Sequence, residues 1–302
     1  QLVTGVLHEA LLLLLAARQG AQHAPEPGAQ PAHLVASSLG LGGHAGHAGG
    51  ARSTPRASRG GNVRRMIPVF DGHNDTVLLH LEKPDRDFFE RHDDGHIDLP
   101  RAKEGGLFGG FFAVFPPSPA SPGLEKSYVK ADGSKVQLTV GALDPAAAVV
   151  STNAMVSQLL RWDADEQGRF TLVRTVSDIE ACLENGSMAA IMHFEGAEAI
   201  GPDLAALDVY HAAGLRSLGI VWSRANLFGN GVPFRFPSSP DVGPGLTAHG
   251  MQLVRRCNDL GIMVDLSHIT ERGFWDVANI STAPLVATHS NAHAVCPSTR
   301  NL

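Results

Sequence analysis

The chain has 302 residues, 43% of them hydrophobic, and a formal net charge of −6. That length supports one large domain, or one domain with a tail, and the acidic balance argues against a nucleic-acid partner, which favours a basic surface. Its three cysteines, Cys182, Cys257 and Cys296, stand far apart without C-x-x-C spacing, which argues against a disulfide framework or a cysteine zinc site.

Residues 1–65 differ from the rest. They carry six Arg, no Lys and two acidic residues, a net of +4, which leaves −10 for residues 66–302. Residues 20–61 are dense in Gly, Ala, Pro, Ser and His, a composition that buries too little apolar surface to offset its ordering entropy. The apolar run 11–17 is too short to span a bilayer and follows no basic stretch. We read 1–65 as a low-complexity, disordered or non-native leader, with a secretory signal as the competing reading. The expected location is therefore cytoplasmic, with no membrane anchor. The chain opens on Gln1 and closes on Leu302, and it reads as a piece of a longer frame.

From residue 67 short apolar runs alternate with helical patterns. The runs are 67–70, 109–115, 189–194, 215–222, 262–266 and 285–288. They are continuously apolar, as expected for strands covered on both faces. Between them, helices are predicted at 145–162, 177–185, 203–213, 247–260 and 270–279. Ser177 with Glu180 reads as a capping box, and Gly186, Gly214 and Gly261 read as helix stops. This β-α succession predicts a parallel α/β sheet. The candidates are a (β/α)8 TIM-type barrel truncated after about six strands and a doubly wound open sheet.

In parallel α/β folds functional groups gather at the C-terminal ends of strands. The first run leads into Asp71-Gly72-His73-Asn74-Asp75. His73 and Asp75, two apart, share a side on extended backbone and offer a nitrogen and an oxygen ligand suited to zinc; a plain turn is the alternative reading. The third run ends in His193-Phe194-Glu195, where Glu195 needs a partner if buried and His193 is either a ligand or a supporting group. The fifth and sixth runs end in Asp265-Leu266-Ser267-His268 and Thr288-His289. One shared site explains these positions better than separate coincidences. His73, Asp75, Glu195, His268 and His289 suffice for two metals if one carboxylate bridges, and Glu195 lies between the two groups in strand order.

The segments DGHND at 71–75, FEGAEAI at 194–200, GLRSLGIVWSRANLFGNG at 214–231, VDLSH at 264–268 and THSNAHAVCPSTRNL at 288–302 resemble the renal, or membrane, dipeptidase family of zinc dipeptidases, closest to its bacterial members. The resemblance spans about residues 66–302 and implies a metallo-dipeptidase domain of the metal-dependent hydrolase barrel type. It implies two zinc ions, the first held by His73 and Asp75, the second by His268 and His289, with Glu195 bridging. It implies hydrolysis of dipeptides through a metal-bridging hydroxide, with Arg300, eleven residues after His289, gripping the substrate's terminal carboxylate. Trp222 stands where mammalian members place a substrate-contacting histidine, and the family's acid/base aspartate falls beyond residue 302. The competing readings are another amide or lactam hydrolase on the same two-metal scaffold, and a weakly active or inactive metal-binding fragment. A homodimer is left open.

Overall fold

The computed structural model describes residues 67–118 and 141–302. The leader expected at 1–65 lies outside the described residues. The architecture is a six-stranded, all-parallel sheet flanked by helices. Its strands are β1 (Val69–Asn74), β2 (Leu107–Val114), β3 (Phe170–Leu172), β4 (Met188–Glu195), β5 (Leu215–Gly219) and β6 (Met263–Asp265). The helices are α1 (Thr76–Glu82), α2 (Leu99–Gly105), α3 (Pro145–Asp163), α4 (Val176–Asn185), α5 (Ala205–Ala213), α6 (Ala248–Leu260) and α7 (Glu271–Ile280). No helix among the described residues is long and apolar enough to cross a membrane.

The sheet order is β1-β2-β4-β5-β6, with β3 off this path and paired to β4. Along that path the order never reverses, so there is no switch point of the doubly wound kind. This is the curved sheet of a TIM-type barrel, built as far as β6.

Helices α1 and α2 were not among those predicted, and among the strands two elements differ from the sequence reading. Run 285–288 is no full strand: it meets the sheet through a single parallel bridge between Asp265 and Val286. A strand at Phe170–Leu172 takes the sixth place instead. It pairs with residues 188–190 of β4, while β5 pairs with residues 192–195, so β3 and β5 share one edge of β4 end to end.

This placement has a chiral consequence. The step from β3 to β4 runs against the direction of the other crossovers, and right-handed crossovers then put the connecting helix on the opposite face. Ile179 and Cys182 of α4 accordingly pack with Ala189 and Ile191, the β4 face that also carries His193 and Glu195. The alternate β4 residues Met188, Ala190, Met192 and Phe194 join the main core with Leu159 and Trp162 of α3, Leu207 of α5 and Leu253 of α6. Helix α4 thus fills the floor of the concave face, and the strand ends above it are left for the site.

Helix ends follow local chemistry. The capping box of α4 is built by Thr175 and Asp178, two residues earlier than predicted, with each side chain taking the other's backbone N–H. Such a cap stabilises by about 1 kcal/mol. Gly186 and Gly261 close α4 and α6 at positive φ, as their positions predicted.

An aromatic cluster locks α3 to the sheet. Phe88 lies 4.7 Å from Trp162 and 5.8 Å from Phe170, and Phe112 lies 5.4 Å from Phe170. His80 of α1 closes the cluster, edge-on to Trp162 at 4.7 Å, with its Nε2 buried and without a partner among the described residues. Burial, with the Arg86 charge adding to it, pushes the His80 imidazole from 6.5 down to about 4. The unfolded chain takes up this proton near 6.5 and the fold resists it until about 4, so stability present above that window is lost as pH falls through it. Thermal melts between pH 7 and 4 should show a falling Tm, and His80→Gln should flatten part of that slope.

Candidate metal centre

Five predicted ligands converge at the C-terminal rim of the sheet. His73 is the penultimate residue of β1, with its Nε2 3.7 Å from Glu195 Oε2 and 3.5 Å from Asp75 Oδ1. The strand stops at Asn74, so Asp75 is not on extended backbone as expected; it is the residue ahead of α1, largely exposed, and still turns its carboxylate toward His73. Glu195 is the last residue of β4, and its other oxygen, Oε1, lies 2.9 Å from His268 Nε2 and 3.4 Å from His289 Nε2. The two Nε2 atoms of His268 and His289 stand 3.0 Å apart, and the His73 and His289 rings stack at 3.9 Å. His73, Glu195 and His289 offer ligand atoms within 4.8 Å of one another. His268 adjoins that group at Glu195, and Asp75 adjoins it at His73.

Local backbone sets these directions. Gly196 adopts φ 99°, and a Cβ there would lie 2.2 Å from Glu198 Oε2, so only glycine permits the turn that ends β4 at Glu195. His268 has φ 68°, a left-handed conformation rare outside glycine and concentrated at functional sites. A Cβ on Gly72 would lie 2.6 Å from the Thr288 carbonyl oxygen. The sheet therefore curls until the end of β1 touches the segment carrying His289.

Each rear nitrogen tells how a ring is held. His268 Nδ1 faces Ser223 Oγ at 2.8 Å, and His289 Nδ1 faces Thr288 Oγ1 at 2.8 Å. His193, left open between ligand and supporting group, lies behind the cluster: its Nδ1 faces Ser217 Oγ at 2.8 Å and its Nε2 is 3.6 Å from Asp265 Oδ2.

Asp265 was not singled out in the sequence, yet it organises the rear of the site. Fully buried, it accepts from Ser267 N and Oγ and from Thr288 N and Oγ1, and its Oδ2 is 3.8 Å from His289 Nδ1. The signal that exposed Glu195, an acid closing an apolar run, was equally present at Asp265.

The electrostatics suit a cation. Burial pushes the Glu195 carboxyl upward, but hydrogen bonds from His268 and His289 and the nearby imidazoles outweigh it and hold it well below the carboxylate range. For Asp265, burial is likewise outweighed by His193, His289 and the Thr288 bonds, which bring it down to about 2. Burial dominates at His268 and His193, both down to about 4. Glu195 and Asp265 are thus ionised and His268 neutral at neutral pH, the states that a divalent metal requires of such groups, while at His73 burial is outweighed by Asp75 and Glu195, which raise it. This donor set of three imidazoles and two carboxylates fits zinc chemistry.

Arg300 lies at the margin. One Nη donates to the His289 carbonyl at 3.3 Å, and the other is buried without a partner among the described residues. Burial lowers its pKa against the opposing pull of Glu195 and Asp265. Trp222 places its ring 5.9 Å from that of His268.

Comparison with known proteins agrees with this geometry. The family model of membrane dipeptidases, peptidase family M19, matches residues 58–302. A protein of Acinetobacter calcoaceticus, described as an uncharacterized protein in the PQQ-III 3' region, is 39% identical over 245 residues, 79% of this chain and 75% of that protein. Dipeptidase tcpJ of Claviceps purpurea is 27% identical over 77% of this chain, which spans about half, 51%, of its length. A metallo peptidase from Rhodobacter sphaeroides, liganded with a phosphinate mimic of the dipeptide L-Ala-D-Ala, superposes with a TM-score of 0.75 at 51% identity, covering 78% of this chain and 69% of that one. The chain belongs to the membrane dipeptidase family, peptidase family M19, and is by that membership a metal-dependent hydrolase of peptide bonds.

Proposed function

We propose that this protein is a dipeptidase working through a pair of zinc ions. The observation that carries the reading is the division of Glu195: one carboxylate oxygen faces His73 and the other faces His268 and His289. A carboxylate placed between two groups of ligands in this way would serve both metal ions. His73 and Asp75 would complete one position, and His268 and His289 the other. A metal pair there supplies an activated water and polarises the scissile carbonyl.

The chain's own residues supply the rest. Asp265, held by Ser267 and Thr288, faces the rear nitrogens of His193 and His289 and keeps the His289 front nitrogen aimed at the site. Such supporting carboxylates fix ring orientation and raise ligand basicity. Arg300 presents a buried N–H at the margin with no partner among the described residues, which suits the terminal carboxylate of a short peptide. The dipeptide mimic bound by the Rhodobacter protein supports the same substrate class.

Elemental analysis of the zinc-loaded protein should give two metals per chain, and Glu195→Ala should reduce both occupancies together; retention of two metals in that variant would exclude the bridge. Exhaustive chelation should abolish hydrolysis of L-Ala-D-Ala, and undiminished turnover would sink the proposal. Asp265→Asn should weaken metal affinity about 10–100-fold, read by competition with a chromogenic chelator. Arg300→Ala should raise KM about tenfold or more for free dipeptides and leave C-terminally amidated dipeptides unaffected, since these lack the carboxylate.

A further inference from the structure

Arg224, just beyond β5, has a fully buried side chain whose three nitrogens each find an acceptor. Its Nε donates to Glu198 Oε1 at 2.7 Å, one Nη to Ser118 Oγ at 2.8 Å and the other to the Pro116 carbonyl at 2.8 Å. One guanidinium thereby ties together the loops that follow β2, β4 and β5, all on the rim where the metal ligands gather. A buried ion pair is weak evidence for stability, because its desolvation offsets the attraction. What Arg224 supplies is position.

What it positions is aromatic. The guanidinium carbon lies 5.2 Å from the ring centroids of both Phe115 and Trp222. Trp222 meets Phe115 at 4.9 Å and Phe234 at 5.5 Å, and its ring is 5.9 Å from His268. All three aromatic residues are only half-buried. They do not fill the core; they show apolar surface beside the cluster. The pairing with Glu198 neutralises the charge behind the rings.

We propose that Arg224 is a positioning residue that fixes Trp222, flanked by Phe115 and Phe234, as an aromatic wall of the substrate pocket, and that this wall selects dipeptides carrying an apolar side chain. The inference rests on the dipeptidase reading and deepens it by naming a substrate class. An apolar side chain laid on these rings leaves water, whereas a charged one is stripped of hydration with no partner. Each buried methylene in such a pocket changes kcat/KM roughly tenfold or more.

The test is a panel of dipeptides with Gly, Ala, Leu, Phe, Asp or Lys at either position, assayed with the zinc-loaded protein. At one position Leu and Phe should exceed Asp and Lys by about tenfold or more in kcat/KM. Trp222→Ala should erase that preference by raising KM for the apolar substrates while kcat stays within about twofold. Arg224→Lys should act in the same direction, and Ser118→Ala more weakly. Should Arg224→Lys fail to fold, Trp222→Ala and Ser118→Ala carry the test. A second readout needs no turnover: leucyl-leucine should shift the indole emission of the wild type but not of Trp222→Phe. Turnover without side-chain preference, or a uniform loss of kcat in Trp222→Ala, overturns the wall and spares the dipeptidase reading. An emission shift without any turnover sinks the dipeptidase reading and keeps the wall. Neither shift nor preference overturns the wall outright.

Discussion

A carboxylate with almost no solvent contact sits at the end of the central strand, and the rest of the molecule is arranged to keep it charged. Glu195 is 5% exposed and ionised well below its usual range. Burial alone would drive it neutral. Three imidazoles drawn from β1 and from the segments after β6 and the Val286 bridge prevent that, and two of them, His268 and His289, are steadied from behind by the hydroxyls of Ser223 and Thr288. The geometry of the rim follows from the need to bring these donors to one point.

The floor beneath is an equally direct consequence of chain direction. Because β3 lies beyond β4 rather than before it, its crossover helix falls on the concave side. Ile179, Cys182, Ala189 and Ile191 then form an apolar plug below His193 and Glu195. The charged cluster is walled from beneath by these apolar side chains, which strengthens its electrostatics relative to water.

Much of this was legible in the residues. Long, continuously apolar runs such as β2 and β4 announced themselves, as did Glu195 at the end of β4. The three-residue β3 did not, since Phe170–Leu172 is shorter than any periodic pattern. Ser177 and Glu180 mimicked the cap that Thr175 and Asp178 form, because both pairs have the same spacing and similar chemistry. Run 285–288 looked like a strand by composition, yet only Val286 finds a partner. In the site, spacing could name His193 but not its role, which depends on the distant Ser217 and Asp265. Arg224 escaped notice because its partners, Pro116, Ser118 and Glu198, come from two other loops.

The contact between Gly72 and the Thr288 carbonyl has a kinetic side. It joins the first described strand to nearly the last described segment, so the ligand set is complete only after the whole intervening chain has found its place. Contacts of such wide sequence separation form late and slowly. A metal ion held by His73 on one side and His289 on the other would act as a clasp across this closure.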